Sequence, residues 1–441
     1  MMRKVLPFLL LCCLAIAPTP LAAAHAESPT ISHIQSVAAV HPSHYRGWSQ
    51  RVGNVLIARV MSYQGPSKEC FPGLVAYDLD SRQLLWMIND PCPRLNVSPF
   101  VNQAVDGNLV FWAYVKGARK PRLYLADLKT GRSHAIAPTV AEKIEKETEQ
   151  RSPLWSTPLT VPAADGHRIF LGTYTHARAV SVETGKLIWE VELPWPPGPA
   201  SCRPYPYFNQ TVFFYSELGR VLAIDSYEGK ILWSRDLLGI DAKPDEPLGE
   251  NVEGPSTSTM IGIGGDRLFF HAGDVVYALD PDTGQTLWKT QVCGSRRTVP
   301  YPPVVWDSAV VVVVRDGWAD QLKCLDMKTG EVLWTWELGQ IAKEVAGEGK
   351  PEPTRNQVSS NLLVMDGQLL FCTLDGMLRA LGNDREGEHW QIRLRPQSSP
   401  YADFAAILYR VDSQVVAFDG ATAWWIDLPL TTAPSAGASG E

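Results

Sequence analysis

No stretch of this 441-residue chain holds the roughly 20 consecutive apolar residues that a membrane-crossing helix needs. Positive charge is not in excess either: 47 acidic residues stand against 40 basic ones, a formal net charge of −7. Nucleic acid and anionic lipid both require a cationic footprint, so neither is expected as a partner. The chain has no C-x-x-C pair, which argues against a structural zinc site. A G-x-S-x-G elbow, an H-E-x-x-H helix and a Walker loop are also missing, and with them the commonest hydrolase, zinc-protease and nucleotide-binding chemistries. The glycines of "GIGGDR" (Gly262–Arg267) precede the strand-like "LFFH", so no helix stands ready to receive a phosphate.

The N-terminus reads as an export signal. Arg3 and Lys4 precede an apolar run from Val5 to Ala17, followed by Pro18, Pro20 and the small-residue site Ala24-His25-Ala26. Cleavage near Ala26 predicts an exported protein, periplasmic or extracellular, and takes the formal charge from −7 to −9 by removing Arg3 and Lys4. Cys12 is preceded by Leu11, which is too large for lipid attachment, so no lipid anchor is expected. Residues 27–45 read as a polar N-terminal arm and 431–441, "TTAPSAGASGE", as a disordered tail.

What is there between 46 and 430 is one phrase, repeated. "RVLAIDSYEGKILWSR" at Arg220–Arg235 returns as "VVYALDPDTGQTLWKT" at Val275–Thr290 and "QLKCLDMKTGEVLWTW" at Gln321–Trp336. Aligned on D-x-x-T-G-x-x-L-W, the last position falls at Trp86, Ala135, Trp189, Trp233, Trp288, Trp334, Trp390 and Trp425. Each copy reads as a β-hairpin, because Gly supplies positive φ and Asp bonds the turn backbone. Two further strand-like runs lie upstream, such as "STPLTV" and "HRIFLGTY" in the third copy. Four strands per unit at this period predict an all-β, eight-bladed β-propeller of four-stranded antiparallel blades, a single domain whose faces are buried blade against blade. The seven repeat tryptophans are therefore read as core residues that dock one blade on the next. The last unit is short by about one strand, since 35 residues separate Trp390 from Trp425; "ISHIQSVAAV" (Ile31–Val40) is the segment available to fill it. Arg82 occupies the Gly position of the first turn.

"A-x-D-x-x-T-G-x-x-L-W" resembles the repeat of the pyrroloquinoline quinone (PQQ) type propellers, over roughly residues 46–428. That superfamily holds quinoprotein alcohol dehydrogenases and non-enzymatic members such as the BamB-like propellers. The dehydrogenases it resembles hold quinone and calcium in the central channel, with a catalytic aspartate and a disulfide between adjacent cysteines. Here Cys12-Cys13, the one adjacent pair, leaves with the signal, and no residue matches the catalytic aspartate or the calcium ligands.

Six cysteines remain: Cys70, Cys92, Cys202, Cys293, Cys324 and Cys372. Pairing across the first hairpin places Cys70 opposite residue 91 or 93, depending on the turn, so a Cys70–Cys92 disulfide is expected; the pairing of the other four stays open. The linkers between blades alternate in length. The long ones leave blades 2, 4 and 6 and read as acidic, partly helical lobes over one face. The short ones carry Arg94, Arg203, Arg296 or Arg297, and Arg395, with Tyr205, Tyr301 and Tyr401 beside three of them. Arginines recurring at quasi-fourfold positions predict an anion or acidic-peptide site at the channel mouth; the bland alternative pairs each with a carboxylate from a neighbouring linker. The reading that follows is a monomeric, non-catalytic, exported scaffold that binds a protein, peptide or anionic ligand on one face and holds no cofactor. The alternative is a PQQ- and calcium-dependent dehydrogenase.

Overall fold

The computed structural model describes residues 29–36, 49–64, 69–88, 92–93, 104–105, 107–114, 121–149, 163–173, 175–194, 202–208, 210–216, 219–237, 260–272, 274–293, 302–316, 319–338, 340–343, 352–382, 388–395, 406–419 and 422–428. They form an eight-bladed β-propeller of antiparallel sheets. Blade 1 runs Ser49–Val52, Val55–Gln64, Glu69–Asp78 and Gln83–Ile88 from inside out, and blades 3 to 7 repeat that order. The first strands of successive blades approach one another, as Met260–Gly264, Val304–Trp306, Leu363–Met365 and Ile407–Val411 do, so these strands surround the axis. Gly262 and Gly264 make that approach possible: a Cβ on Gly262 would lie 2.3 Å from the Pro303 carbonyl oxygen.

Because the strands alternate in direction, the two ends of the disc differ. The D-x-x-T-G turns lie at one end, here the turn end; the blade-to-blade linkers and the hairpins between second and third strands lie at the other, the linker end. At the turn end Asp280 Oδ1 accepts from Thr283 Oγ1 at 2.8 Å and from the Thr283 and Asp282 amides. Hydrogen bonds from Thr283 hold the Asp280 carboxyl below its usual pKa, and Thr130 does the same for Asp127. The repeat Trp then docks forward. Trp86, Trp189, Trp233 and Trp288 donate their indole N–H to the carbonyls of Leu128, Ser226, Pro281 and Met327 in the next blade's turn. Each indole lies on that turn's glycine: a Cβ on Gly131, Gly229, Gly284 or Gly330 would come within 2.7 Å of a ring atom, and all four have positive φ. Asp, Gly and Trp of the repeat thus belong to one blade-to-blade joint.

Blade 2 breaks the pattern at Ala135, which pairs with Tyr124 without a bulge. Ile136 and the helix Pro138–Glu149, through Val140, Ala141 and Ile144, fill the space against Ile169, Leu171 and Val180 of blade 3. Its innermost strand is split into Cys92–Pro93 and Ala104–Val105, both paired to Asn108–Tyr114.

Thr30–Ser36 supplies the outermost strand of blade 8, antiparallel to Thr422–Asp427, and so joins the two ends of the chain in one sheet. This corrects the place of Trp425. It lies on the third strand of its blade, opposite His33, at the level where other blades carry a small residue such as Ala223 or Ala278. Trp425 still docks on blade 1, packing with Leu56, Tyr77 and Leu79 under the Arg82 guanidinium, 5.2 Å from the ring centroid. Arg82 holds φ +58, a conformation that costs an L-residue about 1 kcal/mol. Arg82→Gly relieves that strain and loses the cation–π contact, worth about 0.5–1 kcal/mol. The expected change in melting temperature is therefore under about 2 °C, read by calorimetry.

No disulfide forms among the described residues, and Cys293, Cys324 and Cys372 are buried thiols. The side chains of Cys70 and Cys92 lie outside the described set. Along the backbone, Cys70 pairs with Tyr63 in blade 1, whereas Cys92 pairs with Tyr114 in blade 2.

Candidate functional site at the linker end

Buried charge lies at both ends of the disc: Arg168 pairs with Asp165 in a turn of blade 3 at the turn end, and at the linker end it gathers in two sectors. In blade 3 the Arg178 side chain is fully buried between two carboxylates. Its Nε donates to Glu190 Oε2 at 2.7 Å and its Nη2 to Glu147 on the helix. Thr173 Oγ1 donates to Glu147 Oε2 at 3.3 Å, and Lys143 Nζ to Glu190 Oε1 at 2.6 Å. Burial raises the Glu190 pKa, but Lys143 and Arg178 outweigh it and the net shift is downward. The network bolts the helix to the blade, and every charge in it has a partner inside the protein.

The second sector spans blades 6 to 8. Asp320 is wholly buried and accepts the Val358 amide at 3.1 Å. Asp375 accepts from the Thr373 hydroxyl at 2.6 Å and from Arg379 at 3.2 Å, and Arg379 also reaches Glu388 at 2.6 Å. Asn361 acts like a strand between blades: its Nδ2 donates to the Leu408 carbonyl at 3.1 Å and its Oδ1 accepts the Leu408 amide at 2.7 Å. Asn356 Oδ1 and Ser359 Oγ, both buried, make no hydrogen bond with the described protein atoms.

Of the arginines singled out from sequence, Arg395 is the one whose side chain is described. It pairs with Asp419 of blade 8, whose side chain is 1% exposed and also accepts the Thr422 amide at 2.7 Å. That partner comes from a hairpin between strands and not from a long linker. Arg203 and Tyr205 lie on the innermost strand of blade 4, opposite Tyr215 and Phe213, with side chains outside the described set. Arg94, Arg296, Arg297, Tyr301 and Tyr401 lie outside the described residues. The linker lobes were expected to be partly helical. The first supplies the helix; the third holds the two-stranded hairpin Gln340–Lys343 and Glu352–Arg355 instead, and the second lies outside the described residues. Sequence reasoning missed the Arg178–Glu147–Glu190 set, because its members come from three elements.

A calcium-held quinone needs several carboxylate and amide oxygens converging on one point. Among the described residues no three His, Cys, Asp or Glu side chains are grouped so as to hold a metal ion. Asp375, Glu388 and Asp419 are each paired with an arginine.

The fold is an eight-bladed propeller, and its repeat resembles that of the PQQ-type propellers. Residues 175–245 and 219–359 match the family model described as outer membrane protein assembly factor BamB. Among characterised relatives, the tetrathionate hydrolase of Acidithiobacillus ferrooxidans is 25% identical over 225 residues, covering 48% of this chain and 42% of the relative. The dehydrogenase subunit of the quinone alcohol dehydrogenase of Gluconacetobacter polyoxogenes is 30% identical over 145 residues, 30% of this chain and 19% of that one. BamB of Yersinia pestis is 29% identical over 141 residues, 32% and 33% of the two chains. Each match thus spans less than half of the relative's length. The crystal structure of BamB from Moraxella catarrhalis superposes with a TM-score of 0.56 at 14% identity, over 91% of this chain and all of that one. A europium-containing methanol dehydrogenase superposes at 0.54 and 12%, over 90% and 86%. The fold is shared by both kinds of protein.

Proposed function

We propose that the protein is a non-catalytic exported scaffold whose linker end docks a protein partner. One observation carries this reading: among the described residues, both elements added to the propeller, the helix Pro138–Glu149 and the paired strands Gln340–Lys343 and Glu352–Arg355, stand at the linker end, whereas the turn end carries only the hairpins of the blades themselves. Elements built on a rigid repeat at one end mark where recognition varies. Arg178 with Glu147 and Glu190, Arg379 with Asp375, and Arg395 with Asp419 pair charge with charge, which stiffens a platform. The match to an outer membrane assembly factor supports the same reading. The export-signal pattern of residues 3–26 and the acidic charge of the rest of the chain agree with this reading.

Arg94, Arg203, Arg296, Arg297, Tyr205, Tyr301 and Tyr401 are the contacts first offered to an anionic ligand or acidic segment of the partner. Arg395 differs: Arg395→Ala would leave Asp419 buried without its cation and is expected to loosen blade 8. The test is face-resolved photocrosslinking in the intact producing cell. Photoreactive residues at Glu142 and Lys146, exposed on the helix, are expected to capture a discrete partner. The same residue at Lys129, Lys186 or Lys328, on the turn end, is expected to capture none. Equal capture from both ends, or capture from the turn end alone, overturns the assignment.

A further inference from the structure

The outer edge of each blade is a row of backbone N–H and C=O groups, and an open edge invites another strand unless charge or a cover prevents it. Blades 3 to 7 place charge there: Glu190 and Glu192, Arg235 and Asp236, Lys289, Glu337, and Glu388 with Arg393. Blade 8 is covered by Thr30–Ser36. The outer strand of blade 2 is uncharged but only four residues long, and it leads at once into the helix.

Among the described residues blade 1 has neither protection. Its outer strand, Gln83–Ile88, reads QLLWMI, without a charge, and among the described residues it pairs only inward, with Glu69–Asp78. Leu84, Leu85 and Met87 are 48%, 39% and 46% exposed. Trp86 and Ile88 are buried against blade 2, so the edge strand is held rigid by the neighbouring blade. We propose that this edge accepts an extended, uncharged segment of a protein partner as a fifth strand of blade 1. The neighbouring blade shows the chemistry of such an occupant. Thr30–Ser36, TISHIQS, is an uncharged segment that pairs antiparallel along the edge of Thr422–Asp427. Main-chain hydrogen bonds would supply affinity, and the apolar side chains at Leu85 and Met87 would reject a charged segment.

This inference shares with the proposed function only the premise of a protein partner. Its test reads the edge alone, so its failure leaves the linker-end assignment standing. The probe is a synthetic peptide of sequence TISHIQS bearing a fluorophore and a benzophenone. Saturable binding to the full chain is expected, with crosslinks mapping to residues 83–88. A copy of the peptide with lysine and glutamate in place of its two isoleucines is expected to bind at least tenfold more weakly. The exposed-site double variant Leu85→Lys/Met87→Lys is expected to lose binding by a similar factor. Absence of saturable binding overturns the inference, as do crosslinks at 422–427, which would mean exchange with the chain's own strand. A concentration-dependent dimer abolished by the double variant would assign the edge to a second copy and overturn the choice of partner. Should the double variant fail to fold, the crosslink map on the unaltered chain decides.

Discussion

Replacing Trp233 by alanine is expected to destabilise the propeller by about 3–5 kcal/mol, the range for removing a large buried aromatic. Three losses combine at this joint. The indole N–H no longer meets the Pro281 carbonyl, held at 2.8 Å. The ring no longer covers Gly284, whose missing side chain exists to admit it. Its tilted contact with Phe213, 5.9 Å between centroids, disappears as well. Trp334→Ala is the comparison: Trp334 is only partly buried and packs edge-on against Trp306, 6.1 Å between centroids. Calorimetry should therefore rank the Trp233 variant well below the Trp334 variant in melting temperature. Equal effects would mean that the forward-docking joint is not what couples the blades.

The second large effect is acid lability traced to His271. This imidazole lies on the second strand of blade 5, 2% exposed, and its Nε2 has no hydrogen-bond partner. Burial pushes its pKa down to about 4, with nearby Asp274 opposing weakly. The unfolded chain therefore binds a proton near pH 6.5 that the folded chain refuses until about pH 4. Stability is full above pH 6.5 and falls as pH drops through that window, by about 3 kcal/mol in all. His271→Phe removes the titration and should flatten the slope of stability against pH between 6.5 and 4, measured by denaturant melts at each pH. An unchanged slope would place the acid sensitivity elsewhere.

The repeat made the architecture legible because its three informative residues meet at one joint. Asp280 caps the turn, Gly284 bends it, and Trp233 of the preceding blade covers it. The alignment showed that these residues recur, but not that they join consecutive blades. Trp425 was misplaced by one strand for a physical reason. The last blade borrows its outer strand from Thr30–Ser36, so a tryptophan aligned by spacing falls on the third strand. The candidate site was far less legible. Arg395 looked like one of four arginines around a mouth, yet it meets Asp419 from a hairpin 24 residues away, a partner no spacing announces. Arg178, Glu147 and Glu190 come from a strand, a helix and the next strand, and neither of the two glutamates stands at a repeat position. Local turn chemistry is written in adjacent residues; ion pairs between elements are written only in the fold.

The central claim, a scaffold without turnover, is tested most directly by reconstitution. The chain from residue 27 to 441 is incubated with pyrroloquinoline quinone and excess calcium, desalted, and examined for quinone absorbance and for dye-linked oxidation of alcohols and aldoses. The account predicts no stoichiometric retention and no oxidation above a boiled control, because Asp375 and Asp419 at the linker end are each paired with an arginine. One quinone retained per chain, with turnover, would contradict it.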